Sequence, residues 1–378
     1  MHSEKRKGSQ EYFLERTGRL SQLGGISAFI HADGRAKGVS TLRVRTAGGL
    51  EYWVVPDRGM DIFECSWRGR SLCWHSPVAV VHPAYYSNRG VEWLRTFAGG
   101  LLTTCGLTAA GAPSVDDGED LGLHGSIANT PAEGVHWSED WTENDCELTV
   151  SGEVREVSVL GHNMVLRRKI TTSLQSSRIV LHDLVKNEGM RESPLMLLYH
   201  FNFGYPLLTA NSRIFAPSRQ VEPATELAAR SAAQWHTFEA PSFCTGERVY
   251  FHDMEASADG IVNIVLVSDQ EESDFGISLR YSKAALPEFV QWKMPGANHY
   301  VLGLEPANCR SLGRAAERAR GTLKSLSPGM EREFRIELQV LEGAQEVQDA
   351  IRETGSQQPD NRSQEARRGV DSHSGGGI

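Results

Sequence analysis

The 378-residue sequence contains no G-x-G-x-x-G, P-loop, H-E-x-x-H, G-x-S-x-G or EF-hand pattern. Each of these places backbone amides, a nucleophile or metal ligands at a fixed spacing. Their absence removes sequence support for nucleotide cofactors and for the common hydrolase triad. The six cysteines (65, 73, 105, 146, 244 and 309) form no C-x-x-C pair and have no zinc-like spacing. Free buried thiols, no metal and no cofactor are therefore expected. The opening MHSEKRKGSQ is followed by no apolar run of secretory type, so a cytoplasmic location is expected. The longest uncharged run, Thr96 to Val115, carries four glycines, four threonines and a proline. That composition suits buried strand and loop rather than a membrane helix. The net charge of -9 gives no cationic excess for phosphate binding, so no nucleic-acid partner is expected. No repeat of fixed period is present, which argues against a propeller or β-helix.

What remains is a chain with 40% hydrophobic and 23% charged residues, ordinary for a soluble globular protein. Its patterning is that of β-structure. TLRVRT, AGG and LEYWVVP read as a hairpin, and DIFECSW and SLCWHS as a second around Arg68, Gly69 and Arg70. LTVSGEVREV, MVLRRKITTSL, SRIVLHDLVKNEG and PLMLLYHFNFG follow at short spacing as an antiparallel meander. GIVNIVLVS reads as a strand buried on both faces, and EFRIELQVL as half-buried, with Phe334, Ile336, Leu338 and Val340 in alternate places. EPATELAARSAA is a short peripheral helix candidate. The expected organisation is a flexible segment over 1–20, one β-domain over 21–352 and a disordered tail over 353–378, which is almost without apolar residues.

Two strands carry chemistry. In PLMLLYHFNFGYPLL, alternation sets His200 and Asn202 on one face and Tyr199, Phe201 and Phe203 on the other. In VLGLEP, Val301, Gly303 and Glu305 share a face opposite Leu302 and Leu304. An ionised glutamate ending such an apolar run costs several kcal/mol unless it is paired or wet. Beside it, Trp292 offers a plane to a sugar ring and Lys293 a cation to hydroxyls, phosphate or carboxylate; an ordinary amphipathic strand is the competing reading. In PDRGMD, Asp57 and Arg58 are either a turn or a carboxylate beside a guanidinium fork suited to sugar hydroxyls. His124 lies in LGLHGSIANTP, too glycine-rich for a helix or regular strand. Arg95 is the last charge before the apolar run.

HFNFGYPLL, GLHG, PDRGMD and WKMPGANHYVLGLEPANC together resemble the aldose 1-epimerase (galactose mutarotase) superfamily, in its less characterised epimerase-like branch, over about residues 20 to 342. The resemblance implies an all-β galactose mutarotase-like β-supersandwich of mostly antiparallel strands with a few short peripheral helices, its open face binding a small-molecule sugar. It implies His200 as general acid, Glu305 as general base and His124 as a substrate-positioning histidine. Arg95 lies where the superfamily has a sugar-contacting arginine; Asp253 is the one available counterpart of its sugar-binding aspartate. The implied reaction interconverts sugar anomers by acid/base ring opening and closure. Another sugar isomerase or lyase on the same fold and a non-catalytic sugar-binding protein remain alternatives. His200, Glu305 and His124 are expected to converge on one cavity, with His200 and Glu305 far enough apart to flank a sugar ring.

Overall fold

The computed structural model describes residues 8–243, 246–269 and 274–356. Two large sheets dominate, and every strand pair in them is antiparallel among the described residues. The eleven-stranded sheet runs, in spatial order, through Gly25–Ile30, Ser40–Arg45, Leu50–Val55, Asp61–Trp67, Leu102–Leu107, Met196–Gly204, His299–Ala307, Glu288–Gly296, Arg248–Met254 and Ser218–Pro223, with Arg70–Ser71 paired beside Asp61–Trp67. The eight-stranded sheet is centred on Phe275–Ser282, Glu331–Glu342 and Arg178–Asn187. Their facing sides share one apolar core, to which Tyr52, Phe201, Leu302 and Leu304 contribute from the first sheet and Val150, Leu166, Leu279 and Ile336 from the second.

Alternation explains most of this placement. Phe334, Ile336, Leu338 and Val340 all enter the core. Ile261–Val267 is apolar on both sides because Ile264 and Leu266 face the core while Val265 and Val267 meet Val347 and Ala350 of the helix Ala344–Glu353. The expected meander holds for Cys146–Val157, Asn163–Ser173 and Arg178–Asn187. The next strand departs from it: Met196–Gly204 crosses to the centre of the other sheet, between Leu102–Leu107 and His299–Ala307. All nine of its residues are buried, which an edge or half-solvated position would not accommodate. The second expected hairpin is reduced to two pairs, Ser66 with Ser71 and Trp67 with Arg70.

Residues 10–14, expected within a flexible segment, form a helix capped by Ser9, with Phe13 lying 6.2 Å from the Trp141 ring. The Ala344–Glu353 helix runs into the start of the expected tail; residues 357–378 lie outside the described residues. No helix among the described residues is long and apolar enough to cross a membrane.

Behind the centre of the large sheet, Arg168 joins the two layers. Its guanidinium bonds Asp183 at 2.7 Å and Asp61 at 2.9 Å, and Tyr199 donates to the same Asp183 carboxylate at 2.8 Å. All four side chains are buried. Tyr199 precedes His200, so this cluster of one guanidinium and two carboxylates fixes the strand from which His200 projects to the opposite face.

Candidate active site

The outer face of the large sheet is covered at its middle by a second apolar layer that includes Trp74, Trp93, Phe97, Met196, Leu198, Val290 and Val301. A cleft of about 340 Å³ opens in this layer. His124, His200, Glu247, Trp292 and Glu305 line it together with Trp93, Leu94, Phe97, Leu123, Val249 and Val290. The imidazole of His200 is boxed by rings: Phe97 at 5.6 Å, Trp292 at 5.5 Å and His124 at 6.1 Å between centroids, each edge-on.

His200 Nε2 lies 3.2 Å from Glu305 Oε1, and both side chains are buried. The two therefore stand side by side, and the expectation that they flank a sugar ring is corrected. Neighbouring strands deliver them: Asn202 pairs with Gly303, so His200 and Glu305 fall on one face of adjacent strands. Gly303 makes this approach feasible. A Cβ there would meet Glu305 Oε1 at 2.6 Å and His200 Cε1 at 3.1 Å. The side chain of Asn308 bonds the Leu197 amide at 2.7 Å and the Leu195 carbonyl at 3.0 Å, tying the end of the Glu305 strand to the start of the His200 strand.

The site's polar atoms are under-satisfied. His200 Nδ1, His124 Nδ1 and Glu305 Oε1 are buried with no hydrogen-bond partner, the last because its contact with His200 is close but poorly aligned. Buried polar atoms are almost always paired, and the residues lining this cleft carry several that are not, Trp93 Nε1 among them. Burial raises the Glu305 carboxyl well above the ordinary range, with the Glu247 charge adding to the effect. Burial lowers His200, and the neighbouring His124 lowers it further. Both shifts favour the neutral form. His124, held at φ 59° between Leu123 and Gly125, is pushed down to about 4 by its apolar surroundings.

Six residues read as possible substrate contacts do not serve the cleft. Arg58 is buried, its guanidinium donating to the carbonyls of Ala128 (2.7 Å), Val81 (2.8 Å) and Thr96 (2.8 Å), which makes it a strut between three segments. Asp57 accepts from the Ser40 amide at 2.5 Å. Lys293 follows Trp292 and so faces the opposite side, where its ammonium donates to the carbonyls of Gln234 and Thr237 at 3.0 and 2.7 Å. Asn202 shares the His200 face but is fully buried, its amide donating to Gly100 and to the His200 carbonyl. Arg95 is exposed on the 3₁₀ turn Glu92–Arg95 and does not line the cleft, although its neighbours Trp93, Leu94 and Phe97 do. Asp253 pairs with Lys283 outside the cleft. Glu247 was not anticipated: it accepts from Trp292 Nε1 at 3.2 Å at the cleft wall, and GERVY carries no pattern that would have revealed it.

A family model described as "Domain of unknown function (DUF4432)" matches residues 36–340. No curated protein matches the chain. Among solved structures, a "putative aldose 1-epimerase" from Klebsiella pneumoniae subsp. pneumoniae MGH 78578 superposes with TM-score 0.83 at 26% identity, covering 87% of this chain and 86% of that one. A galactose mutarotase-like protein from Clostridium acetobutylicum gives TM-score 0.58 at 13% identity over 85% and 99% of the two chains. Galactose 1-epimerase from Lactobacillus acidophilus NCFM gives 0.56 at 11% identity over 85% and 99%. The last two establish the galactose mutarotase-like fold alone.

Proposed function

This chain belongs to the DUF4432 family on a galactose mutarotase-like fold, and we propose that it is an aldose 1-epimerase-like isomerase that interconverts sugar anomers. The observation that carries the reading is the buried His200–Glu305 pair, 3.2 Å apart, both residues lining the cleft and each carrying a buried atom without a hydrogen-bond partner. Anomer exchange needs one group at O1 and another at the ring oxygen O5. Both oxygens are bonded to C1, so the groups that serve them belong beside each other rather than across the ring.

The resting pair is neutral, because burial disfavours either charge. In ring opening, the imidazole of His200 takes the proton of the C1 hydroxyl, the C1–O5 bond breaks, O5 takes the Glu305 carboxyl proton, and C1–O1 becomes the aldehyde. After rotation about C1–C2, O5 attacks the other face of C1. Its proton returns to Glu305 while His200 returns its proton to O1. Closure thus uses His200 as acid and Glu305 as base; opening uses them in the reverse sense. His124, at the cleft wall, is assigned to bond a sugar hydroxyl, and Trp292 and Phe97 to offer apolar faces to the ring. No Lys or Arg is among the described residues lining the cleft, which favours an uncharged sugar.

The test is polarimetry or NMR on a freshly dissolved pure anomer. Faster approach to the same anomeric equilibrium supports the assignment. A new product would replace it with another isomerisation or a lyase reaction, and saturable binding without exchange would replace it with a sugar-binding role.

A further inference from the structure

Among the described residues, one trio of Glu, Cys and His brings its ligand atoms together outside the cleft: Glu64, Cys73 and His75, all within 4.8 Å of one another. We propose that Glu64, Cys73 and His75 form a binding site for a single divalent transition-metal ion of the zinc type, four-coordinate with its remaining position open to solvent.

The spacing is that of a tetrahedral site. Cys73 Sγ lies 3.5 Å from His75 Nε2, and His75 Nε2 lies 3.4 Å from Glu64 Oε2. With zinc bonds of about 2.3 Å to sulfur and about 2.0–2.1 Å to nitrogen and oxygen, tetrahedral angles put the S–N and N–O edges at about 3.6 and 3.3 Å. A mixed thiolate, imidazole and carboxylate set suits borderline-soft zinc and disfavours magnesium or calcium, which take oxygen ligands. The parts are held in place before any ion arrives. The His75 ring stacks on Phe63 at 4.5 Å and 13°. Cys73 is buried and its strand segment bridges to Phe203, while His75 bridges to Gly99. The His75 side chain is 39% exposed and that of Glu64 24%, so an ion has an entry path and the fourth position faces water. Capture replaces the Cys73 S–H proton by the metal and releases it to solvent.

The site has a consequence for the fold. Trp74, between the two ligands, packs 6.3 Å from Trp292 and 5.9 Å from Phe97, both cleft-wall residues. A bound ion ties the segment that carries Trp74 to the Asp61–Trp67 strand.

The experiment uses the full chain, stripped with a chelator, loaded with zinc, gel-filtered and assayed for retained metal, and in parallel titrated with cobalt as a spectroscopic probe. One equivalent of retained zinc is expected, with a higher melting temperature. Cobalt should give a thiolate-to-metal charge-transfer band and intense tetrahedral d–d bands. Cys73→Ser should abolish the charge-transfer band, and Cys65→Ser should keep it. His75→Asn and Glu64→Gln, at partly exposed positions, should each weaken retention, and they carry the test if Cys73→Ser fails to fold. No retained metal in the parent chain, or a charge-transfer band that survives Cys73→Ser, would overturn the site.

Discussion

His200 Nε2 and Glu305 Oε1 are 3.2 Å apart in a buried, ring-walled corner, close enough to share a proton yet not aligned as a hydrogen bond. A pair in this arrangement works as one unit. Glu305→Gln and His200→Ala are each expected to lower the anomer exchange rate by about 10²–10⁴-fold. The double variant should lose far less than the product of the two, because groups acting together are not additive. Exchange NMR on each variant gives the rates; near-normal turnover in either single variant would remove the pair from the mechanism.

The neutral resting pair has a direct spectroscopic consequence. His200 is lowered from its ordinary 6.5, so its imidazole should remain neutral at pH 6. Long-range ¹H–¹⁵N spectra should show it so, and a protonated ring there would refute the resting state.

Stability follows from the same shifts, with opposite signs for the two residue types. His124 and His252 are each held down at about 4, and His200 is also lowered. Their contribution is complete above pH 6.5 and is lost as pH falls from 6.5 toward the lowered values. Glu305 is raised, so its contribution is complete below its ordinary 4.5 and is lost as pH rises through its folded value. Melting temperature should therefore drop between pH 6.5 and about 4, and Glu305→Gln should melt higher than the parent on the alkaline side. Calorimetry across pH measures both; a Glu305→Gln chain less stable than the parent at pH 9 would contradict the sign.

Gly303→Ala adds a methyl that would sit 2.6 Å from Glu305 Oε1. The carboxylate must then move, and displacement of about 1 Å in a catalytic group can cost about 10²-fold in rate. The expected result is a folded protein with that loss in kcat. Unchanged kinetics would show that the observed carboxylate position is not the working one.

How far the sequence could be read depends on what each residue's partners are. His200 and Glu305 were legible because period-2 alternation fixes a side chain's face, and an acid ending an apolar strand has few tolerable surroundings. The same alternation set Trp292 on the cleft side but could not say that Lys293, facing the other way, would meet main-chain carbonyls of 234 and 237. Arg58 failed similarly, since its three carbonyl partners come from segments 23, 38 and 70 residues away. Glu247 sits in an unpatterned loop, and the Glu64–Cys73–His75 cluster needs the turn between its members before its spacing appears. The placement of Met196–Gly204 at the centre of the other sheet was not legible, because alternation fixes a side chain's face but not which sheet the strand joins.

Lys293 and Arg168 separate structural from substrate-facing charge. Lys293 is buried, its ammonium pushed down to about 7, so Lys293→Met should leave the KM for sugar unchanged. Arg168→Met removes the cation shared by Asp183 and Asp61 and should cost about 3–5 kcal/mol of stability, as expected for an uncompensated buried charge. Denaturant melts and KM values measured together distinguish the two; a raised KM in Lys293→Met with normal stability would restore it as a substrate contact.

The last expectation concerns substrate charge. The cleft is lined by Glu247 and Glu305, by histidines that burial holds neutral, and by aromatic and aliphatic side chains, with no Lys or Arg among its described residues. A carboxylate or phosphate on the sugar would enter an apolar site with no counter-ion and beside the Glu247 charge, which costs several kcal/mol through desolvation and like-charge repulsion. Neutral aldoses should therefore exchange at least tenfold faster in kcat/KM than the corresponding uronates or sugar phosphates, since about 1.4 kcal/mol already corresponds to that factor. Glu247→Gln should narrow the gap by relieving the repulsion while leaving the neutral sugar's rate within a few-fold. Paired exchange measurements on an aldose and its uronate, with parent and Glu247→Gln, test both statements. Faster exchange of the uronate by the parent chain would mean that a cation reaches this cleft from outside the residues that now line it.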